Sequence, residues 1–293
     1  MASAHGVGMR IGYLGPEGTY SHQAVLDAAL VGGEPVALAT LYDTVMAVQD
    51  GLVEAALLPI ENSLEGSVDV TLDTLATDAG AVRIVGERVA EIRNCLIAAS
   101  AIELDAIETV FSHPQANGQC AHFLRTRLGA ATVIPVSSTA EAVRSVTADA
   151  ASPNAALGNR LAAALYGGTI LLADVDDHEG NQTRFVWLAR EEQRERLLGL
   201  LGAGGDAKTS IVFWGAGDGS AGWLVSCLAE LADRGISLTR IESRPRRIGL
   251  GHYMFFADFE GAAEEDAVAA AIEGLRGRCE EVRLLGSYRR SQS

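Results

Sequence analysis

The stretch Gly180-Asn181-Gln182-Thr183-Arg184-Phe185-Val186-Trp187-Leu188 decides how this chain is organised. It leaves an acidic turn, Asp174-Val175-Asp176-Asp177-His178-Glu179, and becomes a run of apolar, β-branched and aromatic residues. That pattern predicts a loop feeding a strand. Thr183 and Arg184 then stand where loop becomes strand, a place where side chains are both held and accessible. Taken alone, the stretch is satisfied by an ordinary strand, with Thr for β propensity and Arg on a solvated edge. Only partners elsewhere in the chain give these two side chains more to do.

Working outward, 293 residues allow about two domains, each able to bury a core of its own. Apolar residues make up 48% and charged residues 21%, the balance of a folded globular chain. A net charge of −15 argues against nucleic acid or an anionic membrane as partner. An anionic ligand then needs local help, from an arginine or from helix N-termini. Cys95, Cys120, Cys227 and Cys279 are widely separated and form no Cys-x-x-Cys pair, so reduced, partly buried thiols are expected. Met1 to Met9 shows neither a basic nor an apolar targeting region, and no apolar run approaches the ~18 residues of a membrane span. The expectation is a cytoplasmic protein.

Met9 to Leu14 reads as a first strand, and Gly15-Pro16-Glu17-Gly18-Thr19-Tyr20-Ser21 as a turn opening a helix, with Thr19 or Ser21 as its N-cap. Strand, Gly-rich turn and helix N-terminus together suit an anion, although a plain βα turn reads as well. The glycines do not follow Gly-x-Gly-x-x-Gly and no P-loop lysine follows, so nucleotide is disfavoured. Ala55 to Ile60 reads as a buried strand running into Glu61-Asn62-Ser63-Leu64-Glu65-Gly66-Ser67 and then a helix. Polar residues between a buried strand and a helix start are where α/β proteins place ligands, while Asn62 as a turn residue and Ser67 as a cap serve equally. Strands are expected at 84–86, 92–98 and 109–111. The last ends in Ser112-His113-Pro114-Gln115, from which a helix runs to about Leu128 with Gln115 and Gln119 on one face. His113 has no second histidine or cysteine at ligand spacing, so no metal site is expected. Further strands at 132–136, 154–158 and 169–172 alternate with helices. This alternation predicts α/β lobes with parallel sheets around a cleft, and the opening stretch returns to the first lobe to close the hinge.

After residue 190 the pattern changes. A charged run, 191–196, and a Gly-rich stretch, 199–205, read as a linker over 191–207. Beyond it the predicted order is strand, helix, strand, strand, helix, strand over 208–288, the ferredoxin-like split unit.

Together these stretches resemble the prephenate dehydratase family over nearly the whole chain. The resemblance is carried by Gly15 to Ser21, Pro59-Ile60-Glu61-Asn62-Ser63, Ser112-His113-Pro114-Gln115 with Gln119-Cys120, and Asn181-Gln182-Thr183-Arg184-Phe185. The C-terminal unit resembles an ACT domain, an amino-acid-sensing module, through Glu242-Ser243-Arg244-Pro245 and through Gly222-Trp223-Leu224-Val225. Two departures stand out. Trp223 takes the place of an alanine, and so large a side chain fills or reshapes an effector pocket. Asn94 takes the place of a histidine common in relatives, and is read as minor because it too supplies a donor.

The resemblance implies a two-lobed, periplasmic-binding-protein-like catalytic domain over 9–190. Its lobes are expected at about 9–86 with 173–190 and at about 87–172. The implied reaction is decarboxylating dehydration of prephenate to phenylpyruvate in phenylalanine biosynthesis, with feedback by L-phenylalanine and with neither cofactor nor metal. Thr183 is the implied donor to the departing hydroxyl, with Asn62, Ser112 and Gln119 orienting the ring. Arg184 is placed to grip a carboxylate bidentately, beside Phe185, Glu61, Ser63 and Thr19. Glu61 stands open between orienting residue and catalytic acid. Gly222, Trp223, Leu224, Val225, Glu242, Ser243, Arg244 and Pro245 are the implied effector site. A homodimer or homotetramer is expected. Alternatives are an arogenate dehydratase, a non-aromatising prephenate decarboxylase, and a catalytically silent sensor of amino or keto acids.

Overall fold

The structure is a computed structural model that describes residues 8–30, 32–202, 205–215 and 219–291. Residues 203 and 204 of the expected linker and most of the N-terminal stretch considered above lie outside the described residues. The first lobe is built from strand β1 (Met9–Leu14), helix α1 (Tyr20–Asp27), β2 (Gly33–Leu38), α2 (Leu41–Gln49), β3 (Ala55–Asn62), the short β4 (Gly66–Ser67), α3 (Asp69–Thr77) and β5 (Val82–Glu91). The second lobe follows with β6 (Cys95–Ala98), β7 (Thr109–Ser112), α4 (Pro114–Gln119), α5 (Ala121–Arg127), β8 (Thr132–Pro135), α6 (Thr139–Thr147), β9 (Asn154–Gly158), α7 (Arg160–Tyr166) and β10 (Thr169–Leu172).

Strand β11 (Gln182–Arg190) then re-enters the first sheet between β3 and β5, giving the order β2-β1-β3-β11-β5. It runs antiparallel to both neighbours, whereas β1 is parallel to β2 and β3. The second sheet, ordered β10-β6-β9-β7-β8, is mixed in the same way. Alternating strands and helices predict parallel pairing; a strand that comes back from the other lobe enters from the opposite end and breaks the rule. Because β11 is central, Phe185 to Ala189 are all buried and show no in-out alternation. Its two faces still differ. Phe185, Trp187 and Ala189 join one core, while Val186 and Leu188 join the other.

Strand β5 stays in the first sheet as far as Glu91, so the lobes divide at 92–94 and 173–181 instead of at residue 87. The two crossings are tied to each other: Ile92 N donates to Asn181 O at 2.9 Å, and Val175 N to Asn94 O at 2.9 Å. The expected helix from Pro114 to Leu128 breaks at Cys120, whose φ of −116° and ψ of 20° end α4 and begin α5.

The expected linker is more ordered than its composition suggests. Residues Glu191–Gln193 form a 3-10 turn and α8 (Arg194–Leu201) follows, with Leu197 fully buried in the core that holds Trp187. The C-terminal unit consists of β12 (Ala207–Trp214), α9 (Trp223–Ala232), β13 (Leu238–Pro245), β14 (Tyr253–Glu260), α10 (Asp266–Arg276) and β15 (Glu281–Arg289). Its strands are ordered β13-β14-β12-β15 and are all antiparallel, the ferredoxin-like arrangement. This sheet packs on the first lobe. One apolar cluster holds Val45, Leu58, Leu72 and Ile84 together with Val212, Met254, Phe256 and Leu285. Cys227 and Cys279, far apart in sequence, bring their sulfurs to 3.7 Å inside the unit. Among the described residues no helix is long and apolar enough to cross a membrane.

Candidate active site

A cleft of about 460 Å³ opens between the two lobes. From the first lobe it is lined by Thr19, Tyr20, Ser21, Asn62, Thr183 and Phe185. From the second come His113, Gln115, Gln119 and Ser137 to Thr139, with Ile92 and Asn94 at the hinge.

The site is built on the register of two strands. Thr183 of β11 lies opposite Asn62 at the end of β3, and the pairing slips between Arg184 and Phe185, a β-bulge of the kind that re-aims side chains beside active sites. Past the bulge, Asn62 turns the chain: its Oδ1 accepts from Leu64 N and Glu65 N, both at 3.0 Å. Two backbone donors on one oxygen identify the other amide atom as nitrogen. Nδ2 therefore donates, to Thr183 Oγ1 at 3.0 Å and to Asn181 Oδ1 at 2.8 Å. Since the Thr183 oxygen accepts from Asn62, its own O–H remains to donate elsewhere. The residue is 8% exposed, and that exposure is to the cleft.

A second network sits across the hinge around Asn94, which is fully buried. Asn94 N donates to Asp176 Oδ2 at 2.7 Å, Nδ2 to Asp176 Oδ1 at 2.6 Å and to Gln119 Oε1 at 3.4 Å. Tyr20 Oη lies 2.9 Å from both Asn94 Oδ1 and Arg93 O, and its one hydrogen is shared between these two acceptors. One side chain thus joins α1 of the first lobe, α4 of the second and the crossing segment 173–181, a larger role than a minor exchange for histidine. Burial raises the pKa of Asp176 against the opposing bonds from Asn94. Burial, followed by the nearby Asp176 carboxylate, raises Tyr20 well above the usual phenol range, so it stays a donor.

Among the described residues no arginine or lysine lines the cleft. What favours an anion there is the start of two helices. Helix α1 starts there behind Thr19, whose Oγ1 accepts from His22 N at 3.2 Å. Helix α6 starts there behind Ser138, which accepts from Glu141 N at 3.0 Å.

The structure brings Thr183, Asn62, Gln119, Thr19 and Phe185 together and separates the other expected residues. Arg184 is turned away from the cleft. Its Nε lies 3.0 Å from Glu61 Oε2, Nη1 3.3 Å from Glu87 Oε2 and Nη2 2.6 Å from Asp258 Oδ2 in the C-terminal unit. Successive strand residues face opposite ways, so a cleft-facing Thr183 sends Arg184 behind the sheet. The expected carboxylate grip is corrected accordingly. Burial alone lowers the Arg184 pKa, but Asp258 and the other acidic neighbours reverse this and hold it raised. Glu61 faces the same cluster, not the cleft. Ser112 is fully buried and donates to Leu157 O at 3.3 Å, behind the mouth of α4. Ser63 starts no helix; it closes the turn by accepting from Gln182 N at 3.0 Å.

The two expected effector signatures also part. Gly222, Trp223, Leu224 and Val225 line a cavity of about 170 Å³ with Tyr253 and Phe255. Glu242 and Arg244 instead reach the first lobe: Ser67 Oγ donates to Glu242 at 2.9 Å, and Arg244 holds Asp73 from 2.9 Å. Ser243 and Pro245 lie on the same strand, outside that cavity. Ser137 to Thr139 line the cleft too, and their signal in the sequence is the box Ser138-x-x-Glu141 at a strand-to-helix turn. The partners that give Tyr20 and Asn94 their role are distant in sequence: Tyr20 is 74 residues from Asn94, and Asn94 is 82 from Asp176.

The fold and the cleft define a two-lobed α/β protein with a polar-lined cleft between its lobes and a ferredoxin-like unit packed behind the first. Comparison sharpens this. The model of the prephenate dehydratase family matches residues 11–193. A prephenate dehydratase of Mycolicibacterium vanbaalenii is 38% identical, over 95% of this chain and 90% of that protein. The structure of prephenate dehydratase in complex with L-Phe from Arthrobacter aurescens superposes with a TM-score of 0.85, at 33% identity, covering 96% of this chain and 90% of that one. GqqA, described as a novel type of quorum quenching acylase, superposes at 0.82 with 30% identity, over 96% and 98%. This chain belongs to the prephenate dehydratase family.

Proposed function

We propose that the cleft converts prephenate to phenylpyruvate with Thr183 as donor to the departing ring hydroxyl. The observation that carries this is the Asn62 amide: locked by two backbone N–H groups, it donates to Thr183 Oγ1 and leaves the hydroxyl proton free for the leaving group. The substrate loses carbon dioxide, and the electrons of that C–C bond enter the ring as the C–O bond breaks. Negative charge grows on the departing oxygen, where a fixed donor lowers the barrier most. A threonine hydroxyl is too weak an acid to surrender its proton outright at neutral pH, so the role is a hydrogen bond that strengthens in the transition state. The carboxylates are met by the N-terminal turns of α1 and α6, together with the amide nitrogen of Gln119.

Purified protein given prephenate should form phenylpyruvate, followed by its ultraviolet absorbance. Thr183→Ala should keep its fold and lose on the order of 10²–10³ in turnover, the scale of one transition-state donor. Wild-type turnover in that variant refutes the role. Arogenate in place of prephenate tests substrate preference, and release of acid from an N-acyl substrate tests the activity described for GqqA. We further propose that the cavity at Gly222 to Val225 binds L-phenylalanine as effector. Exposed Val225, Ile248 and Tyr253 on the same unit support self-association, measurable by light scattering.

A further inference from the structure

We propose that Arg184 is a positioning residue: it passes the seating of the C-terminal sheet on the first lobe to the hydroxyl of Thr183. The proposal rests on the role given to Thr183 above. The two residues are neighbours on β11 and face opposite ways, one to the cleft and one to the C-terminal unit.

Toward β5 this end of β11 is paired without a slip from Gln182 to Trp187, but toward β3 the backbone pairing is interrupted. The ladder to β3 slips between Arg184 and Phe185, and the residue opposite Phe185 is Pro59, which has no N–H to give. A side-chain bond crosses the slip, Arg184 Nε to Glu61 Oε2 at 3.0 Å, beside the bonds that Asn62 and Ser63 make to Gln182 and Thr183. The other two arms of the guanidinium leave the strand pair, to Glu87 on β5 and to Asp258 on β14.

Those partners are themselves fixed. Asp258 Oδ1 accepts from Ser210 Oγ at 2.6 Å, and Ser210 Oγ meets Tyr288 Oη at 2.9 Å. Glu87 is held by Lys208 Nζ at 2.7 Å, and Arg240 Nε lies 3.8 Å from Glu61. Three cations and three carboxylates thus meet between the units. Arg184, Lys208, Arg240, Glu87 and Asp258 expose no more than 10% of their side chains. Burying so many charges is a poor way to gain adhesion alone, since packed apolar groups do as well; what charges add is a defined geometry. The planar fork can satisfy its three partners in only one seating of the C-terminal sheet. A shift of Asp258 is therefore a shift of Arg184, and with it of Thr183 Oγ1 relative to Asn62 Nδ2.

The test uses the full chain and Asp258→Asn, a residue that lines no part of the cleft. With prephenate, kcat should fall about tenfold while KM stays within about twofold, as expected when a catalytic group is misplaced and ground-state binding is not. In the Thr183→Ala background the same substitution should change kcat by less than about twofold, because its route is already gone. Arg184→Lys, which keeps the charge and loses the fork, should follow the same pattern. Should Asp258→Asn fail to fold, Ser210→Ala loosens the same carboxylate without changing charge. Wild-type kcat with only a lower melting temperature overturns the proposal, and so does an equal kcat loss with and without Thr183. Full turnover by Thr183→Ala sinks the catalytic reading first, which separates the two failures.

Discussion

The side chain on which the site turns is Asn62, because its two amide atoms do different work. Oδ1 holds the turn through Leu64 N and Glu65 N, while Nδ2 prepares Thr183. Asn62→Asp separates the two: the turn keeps its acceptor, but Thr183 must then donate to the new carboxylate. We expect a folded protein with turnover lowered on the order of 10²-fold, close to Thr183→Ala, in steady-state kinetics. Turnover near wild type with an aspartate there tells against the hydrogen-bond assignment. Asp176 supplies a second test at this scale. Its carboxyl pKa is raised from 3.8 by burial, so across the window above that value the folded state binds a proton that the unfolded state has lost. Stability from this group is then present at low pH and declines as pH rises through the folded value. Asp176→Asn abolishes that decline, so its melting temperature relative to wild type should climb as pH rises above 3.8. A flat difference removes Asp176 as the cause.

At the scale of elements, what could be read in advance follows from how local the cause is. Strand β11, strand β9 and the C-terminal order of strands and helices are written in runs of apolar residues and in turns. Strand β2 is not, because an edge strand with Pro35 needs little apolar pattern. The break at Cys120 is tertiary in origin: Asp177 from the crossing segment 173–181 takes the N–H groups of His122 and Phe123 at 2.7 and 2.9 Å, starting α5 afresh. The surroundings of Arg184 are hidden from the sequence for a related reason. Its motif marked it as important, but its partners Glu87 and Asp258 come from distant strands that no spacing connects. Helix α9 offers the test proper to this scale. Trp223 donates from Nε1 to Arg278 O at 2.9 Å and packs its ring 5.9 Å from that of Phe255, forming the floor of the small cavity. Trp223→Ala deepens that floor, so the phenylalanine inhibition curve should move while the uninhibited rate stays within about twofold; couplings of about 1–3 kcal/mol are resolvable by titration with and without a substrate analogue. An unmoved curve excludes the cavity as the effector site.

For the whole molecule, the sequence suggested two modules on a tether, and the packing argues for one cooperative body. The core of the first lobe continues into the C-terminal sheet through Val212, Met254, Phe256 and Leu285. Helix α8 buries Leu197 where a loose linker was expected. Strand β15 lies so close to β5 that Gly286 has no room for a side chain: a Cβ there would overlap the carbonyl oxygen of Ile84, which is backbone and cannot rotate aside. Gly286→Ala therefore has to push the two units apart. Overpacking of this kind costs about 1–3 kcal/mol, or a drop of several degrees in melting temperature for a chain of this size. Because the same seating carries Asp258 against Arg184, the variant should also lose kcat ahead of KM. Trp187 reports on the first lobe and Trp214 on the C-terminal unit, so fluorescence of single-tryptophan variants can follow the two separately. Coincident melting of both probes, shifted together by Gly286→Ala, is the behaviour of one body. Two separated transitions, with only the Trp214 signal moved, would mean that the C-terminal unit folds and fails by itself, and that its contacts with the first lobe are too weak to set the geometry of the cleft.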